Sequence, residues 1–321
     1  MWSLRGRAMT LAAVLLLVFG VLLAEPAARL LAGARWPARA PRPALVLWQG
    51  VGLAAGLAGI GAGLLYGVAP LGDSTPAGLW ALAVHTAHGR PFDGLSAVRA
   101  GAVLAATLLA GRLVGVLVLS AVRTLRERRR HRALVDLVST PWPGLGGARV
   151  LDHPDAVAYC LPGLHSRVVL SAGVVEMLDA DELAAVLAHE RAHLAERHDL
   201  VVLPFVAWVA ALPFLPGVRR AQAAVVGLVE MVADDRARAV ADPAALAAAI
   251  ARIGYAGAPR GALAAAGSAV LTRVHRLLEP PAPVARWLPP AAYLGALLLV
   301  ALPIALLLVG LPAALVLVPA G

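Results

Sequence analysis

The chain has 321 residues, of which 60% are hydrophobic and only 15% charged, and its mean hydropathy is +0.79. That balance excludes an ordinary soluble domain and puts the protein in a membrane. All 28 basic residues are arginine, giving a formal net charge of +9. The single cysteine, Cys160, excludes an intrachain disulfide and a cysteine-built zinc cage.

In chain order, the first membrane segment is Ala8 to Ala24, uncharged for 17 residues. Arg5 and Arg7 precede it as they would a signal peptide, but no small-residue cleavage site follows and Glu25-Pro26 closes the run, so a retained helix is expected. A loop carrying Arg29, Arg35, Arg39 and Arg42 leads to a second segment, 44–71, uncharged for 28 residues. Gly52, Gly56, Gly59, Gly63 and Gly67 form a small-residue stripe in it, which suits close helix packing and would also permit a homodimer. The loop Gly72 to Arg99 holds only two arginines, with His85 and His88 read as loop histidines. A third segment, 100–122, is apolar except for Arg112, which either snorkels or meets an interior partner.

The run from Arg123 to Arg132 follows. Juxtamembrane arginines hold topology and attract anionic membrane lipids, and no direct contact with nucleic acid is expected. The arginine bias sets the first and third loops in the cytoplasm and both termini outside, for a multi-pass protein of the cell membrane. Between residues 123 and 286 lies one soluble-domain length of chain. It opens on a turn-rich connector, Pro141 to Gly147, followed by strand-like pieces at Arg149–Leu151, Ala156–Cys160 and Arg167–Leu170.

Asp179 and Glu182 then make a capping-box pair ahead of an apolar-periodic helix. That helix carries His189-Glu190-Arg191-Ala192-His193. Residues four apart share a helix face, so both imidazoles can reach one tetrahedral zinc ion, while Glu190 is placed to take a proton from the attacking water. A catalytic zinc site needs a third protein ligand. Asp199 is one candidate, but the preceding chain lacks a turn glycine, with Glu196 in its place. Glu230 is the better one, on a helix from Ala221 to Ala241, with Asp234 four residues on to orient a histidine. Leu200 to Val218 is apolar for 19 residues. A single crossing there would separate the ligands, and two crossings need about 40 residues, more than the 36 between His193 and Glu230. With Pro204, Pro213 and Pro216 it reads as a kinked helix dipping into the bilayer. A last segment, 287–321, completes four spans in all.

His189-Glu190-x-x-His193 with Glu230-x-x-Ala233-Asp234-x-x-Ala237 resembles the membrane gluzincins, which include the heat-shock and prenyl-protein membrane proteases. The runs Ala158 to Gly163, Val168 to Gly173 and Leu183 to Ala188, with the membrane layout, resemble most closely the BlaR/MecR-type antirepressor metallopeptidases. That resemblance implies an α-helical integral membrane protein with an inserted α+β, zincin-like peptidase domain. It implies one zinc ion on His189, His193 and Glu230, with Glu190 as base and Asp234 behind a histidine. It also implies Arg167, Val168, Val169, Leu170 and Ser171 as an edge strand pairing with substrate, and a BlaI-type DNA-binding repressor, or the peptidase itself, as substrate. The chain ends without a penicillin-binding domain, so β-lactam sensing by acylation is not expected. The rival readings are a quality-control membrane protease and a non-catalytic transducer held together by zinc.

Overall fold

In the computed structural model, residues 4–143, 147–163, 166–256, 263–279 and 282–308 are described. Four helices are long and apolar enough to cross a membrane. The first combines α1 (Leu4–Leu22), a π-helical turn (Leu23–Ala27) and α2 (Ala28–Gly33). Pro26 explains the widened turn, because proline donates no hydrogen bond and its ring clashes with the carbonyl one turn back. The others are α3 (Pro41–Val68), α5 (Ala97–Val138) and α12 (Leu288–Leu308), while the short α4 (Thr75–Ala87) joins α3 to α5. Residues 309–321 of the last predicted segment and 144–146 of the connector lie outside the described residues.

Helix α3 is the hub, packed by α1, α5 and α12. Its glycines make this possible. A Cβ on Gly63 would lie 2.8 Å from both the Ala102 carbonyl and the Ala106 methyl of α5, and one on Gly50 would lie 2.8 Å from Ala296 of α12. The predicted stripe is therefore used for packing within the chain, with Gly56 lying under the Trp208 ring. Gly63→Leu should cost about 1–3 kcal/mol by overpacking. Gly101→Leu, at a position with nothing within 4 Å, should cost almost nothing. Thermal unfolding in detergent measures the difference.

The third apolar segment does not end at Val122. Nothing in its arginine-rich continuation breaks a helix, and α5 runs for 42 residues to Val138. There β1 (Ser139–Trp142), β2 (Ala148–Leu151), β3 (Ala158–Leu161) and β4 (Arg167–Ser171) form a sheet ordered β1-β2-β4-β3. The β2–β4 pair is parallel and the other two are antiparallel. Strand β4 is buried on both faces: Val168 and Leu170 pack toward α6 (Ala172–Met177) and α7 (Ala180–Ala195), while Val169 meets Val135 of α5. An interior strand reads as a continuous apolar run, and Val168-Val169-Leu170 is one.

After α7 come α8 (His198–Ala211), α9 (Pro216–Ala237), α10 (Pro243–Ala256) and α11 (Leu263–Leu278). Helix α8 spans only about 21 Å at 1.5 Å per residue, short of the roughly 30 Å apolar core of a bilayer. The predicted kinked segment is in fact a helix that stops. Leu212 to Leu215 turn the chain, and Pro216 starts α9 at its first position, where a missing N–H costs nothing. Helix α8 runs antiparallel to α5, tied by Arg128 to Asp199 at one end (2.6 Å) and by the Arg112 Nε to the Ala211 carbonyl at the other (2.6 Å). Arg112 thus caps a helix C-terminus, where orphan carbonyls carry partial negative charge.

Candidate metal centre

The capping box of α7 forms as the sequence implies, Asp179 accepting from the Glu182 N–H (2.9 Å) and Glu182 from the Asp179 N–H (3.0 Å). With the helix start fixed, His189 and His193 face the same way, and α9 packs against that face with Glu230. The His189 and His193 Nε2 atoms lie 3.1 Å apart, and each is 3.5 Å from a Glu230 carboxylate oxygen. Among the described residues these three form the one cluster with metal-ligand character. A tetrahedral ion with bonds of about 2.0–2.1 Å spaces its donors roughly 3.3–3.4 Å apart. The triangle has that size, and its two nitrogens and one carboxylate are a donor set of catalytic zinc sites.

The atoms behind the triangle fix its orientation. Asp234 is 1% exposed, and its Oδ1 lies 3.0 Å from His189 Nδ1, leaving Nε2 toward the cluster. His193 Nδ1 lies 3.0 Å from Nδ1 of His198, a buried residue that opens α8. A neutral His193 that uses Nε2 as a ligand carries its proton on Nδ1 and donates it to His198. His198, the first residue of α8, is thus the partner of His193.

Arg273 of α11 was not anticipated. Its Nε and Nη2 donate to the two Asp234 oxygens at 2.8 and 2.7 Å, and Nη1 pairs with Glu230 at 2.9 Å. It lies 39 residues beyond Asp234, and no local pattern marks it. Burial acts to raise the Asp234 carboxyl, but the bonds from Arg273 and His189 outweigh it and hold the group at about 2. Glu230 is likewise held at about 2, burial being overcome by His189 and Arg273. Burial pushes His193 down to about 4, so this imidazole is neutral near pH 7.

Glu190 lies on the same helix and is half-buried beside β3. Burial raises its carboxyl above the ordinary range, against the pull of His189 and of a hydrogen bond from the Cys160 thiol. Cys160 itself is pushed up to about 12, by burial first and then by Glu190, so it remains a neutral thiol.

Two expectations change. The edge strand is not the run Arg167, Val168, Val169, Leu170 and Ser171: β4 is an interior strand, with β2 paired along Val169 to Ser171 and β3 along Arg167 to Leu170. Among the described residues, the outer strand on the α7 side is β3, Ala158–Leu161. Asp199, the other ligand candidate, is engaged by Arg128 at 2.6 Å and Arg197 at 3.5 Å and stands outside the cluster. His85 and His88 lie at the end of α4 and belong to no such cluster.

Four helices long and apolar enough to cross a membrane thus occur in one chain with a donor set of the kind found in catalytic zinc sites. Residues 125–256 match the family model of peptidase family M48, a family of metalloproteases that are typically zinc-dependent. That stretch contains the sheet, both histidines, Glu190 and Glu230. No curated protein and no solved structure matches the chain.

Proposed function

We propose that this protein is a membrane-embedded zinc endopeptidase that cleaves a protein substrate at a cytoplasmic site close to the membrane. The donor triangle of 3.1 and 3.5 Å sides is the observation that carries this reading. His189, His193 and Glu230 would hold the ion, which supplies Lewis acidity toward the peptide carbonyl and makes water a competent nucleophile near neutral pH. Glu190 takes the proton of that water on its carboxylate and passes it to the leaving amine nitrogen. Its burial supports this role, since a carboxylate whose pKa is raised by burial is a stronger proton acceptor. Asp234 and His198 hold the two imidazoles, and Arg273 neutralises the buried pair of acids behind them. An extended peptide would add to the outer ladder of β3, where backbone groups bind with little demand on sequence.

The cytoplasmic placement rests on the arginine asymmetry of the loops. A BlaI-type repressor is the specific substrate proposed from the antirepressor resemblance. Cleavage of many unrelated membrane proteins, with no preference for a repressor, would replace that assignment with a quality-control role.

The test uses the full chain in detergent, with an unfolded protein and a repressor as substrates. Cleavage is expected to stop on chelation and to return with zinc. Cleavage that persists without metal, or a fully metallated protein inert toward every substrate and toward itself, would contradict the proposal.

A further inference from the structure

A cavity of about 420 Å³ lies away from the donor triangle, between the arginine-rich end of α5, the start of β4 and the turn joining α7 to α8. Its volume falls within the roughly 300–1,000 Å³ of small-ligand sites. Arg128, Arg129, Arg132, Arg167 and Arg197 line it, against only two acids, Asp136 and Asp199. Some of this charge is used internally: Arg128 and Arg197 pair with Asp199 at 2.6 and 3.5 Å, Arg167 with Asp136 at 3.3 Å, and Arg132 donates to the Pro162 carbonyl at 2.5 Å. Arg129 is exposed and makes no ion pair among the described residues. Arg197 is held with φ of 50°, the one non-glycine residue in the left-handed region among those described. That conformation costs an arginine roughly 1–2 kcal/mol relative to a right-handed one.

Part of the remaining lining is apolar side chains of α5 and α8, and Thr124, Pro162 and Gly163 complete it. Ala121 and Leu125 precede the arginines on α5, and Leu200 and Leu203 belong to the part of α8 that descends alongside it. Below them α5 presents Leu117, Val118 and Val122 outward. The cavity thus joins a cationic lining to apolar residues of α5 and α8, next to exposed apolar side chains further back along α5. Arginine guanidinium groups match phosphate oxygens in geometry and charge, and apolar walls suit an acyl chain.

We infer that this cavity binds one anionic phospholipid, with its phosphodiester among Arg128, Arg129, Arg132 and Arg197 and its acyl chain along Leu125, Leu200 and Leu203. An acidic peptide would satisfy the arginines but would have no use for an apolar wall open to the bilayer. The lipid would also brace the α7–α8 turn, because Arg197 and Asp199 flank His198, the partner of His193.

The experiment titrates the purified full chain in a neutral detergent with short-chain phosphatidylglycerol, phosphatidylcholine or inorganic phosphate, reading bound lipid by native mass spectrometry. Saturable binding of one phosphatidylglycerol per chain is expected, with neither phosphatidylcholine nor phosphate competing effectively. Arg129→Ala removes a side chain with no ion-pair partner among the described residues and should weaken binding roughly fivefold. Arg197→Gly should weaken it by a similar factor while keeping the backbone turn, since glycine adopts positive φ freely. Arg90→Ala, in the loop before α5, removes the same charge elsewhere and should change nothing. Equal binding of phosphatidylcholine, full displacement by inorganic phosphate or by a polyglutamate peptide, or unchanged affinity in both arginine variants would overturn the inference.

Discussion

Glu190→Gln is expected to lower the cleavage rate by about 10²–10⁴-fold, the usual contribution of a positioned general base, while leaving bound zinc at the wild-type level. Glutamine keeps the size and hydrogen-bonding reach of the side chain but cannot hold the transferred proton. The ligands His189, His193 and Glu230 are untouched, so metal content separates a lost base from a lost ion. The same variant decides against the non-catalytic transducer: a chain in which zinc only holds the domain together would keep its full biological output. The Cys160 thiol, which donates to Glu190, would still find an acceptor in the amide oxygen.

Asp234→Ala should act on stability and metal binding together. Its carboxylate accepts two hydrogen bonds from Arg273 and lies against His189, with 1% of its surface exposed. Truncation leaves the guanidinium buried beside Glu230 alone, and breaking a buried pair in this way costs about 3–5 kcal/mol. It also frees the His189 ring, for which a loss of roughly 10–100-fold in zinc affinity is expected. The two effects can be separated. Combining Asp234→Leu with Arg273→Met replaces both charges with apolar groups and should restore much of the stability. It should not restore zinc affinity, since Nδ1 of His189 still lacks its partner. Chemical unfolding in detergent and competition with a zinc chelator read the two quantities; recovery of both together would mean that Asp234 serves stability alone.

The histidines and the two α9 carboxylates were legible because helical spacing is a local property. Four residues of separation place His189 with His193, and Glu230 with Asp234, whatever surrounds them. The capping box was legible for the same reason. Arg273 was not, because its partners are 39 residues away or more and pairing across that distance is decided by how α11 packs. Strand order was equally hidden: Arg167 to Ser171 has the composition of a strand, but nothing in it says whether neighbours lie on one side or two. The continuous Val168-Val169-Leu170 run was the available hint that both faces are buried. The arginines at 123–132 pointed to a break in the apolar pattern and so to the end of a segment, whereas arginine is a good helix former and α5 simply continues. Hydropathy alone would draw a fifth crossing over Leu200 to Val218, whereas α8 ends after 14 residues and the chain turns before α9.

X-ray absorption at the zinc edge of the purified full chain tests the central claim most directly. The account predicts one zinc per chain, bound by nitrogen and oxygen alone at about 2.0–2.1 Å, with two imidazoles in the outer scattering and loss of the ion in His193→Ala and Glu230→Ala. A protein that takes up no stoichiometric zinc, or a zinc–sulfur distance of about 2.3 Å implicating Cys160, would contradict it.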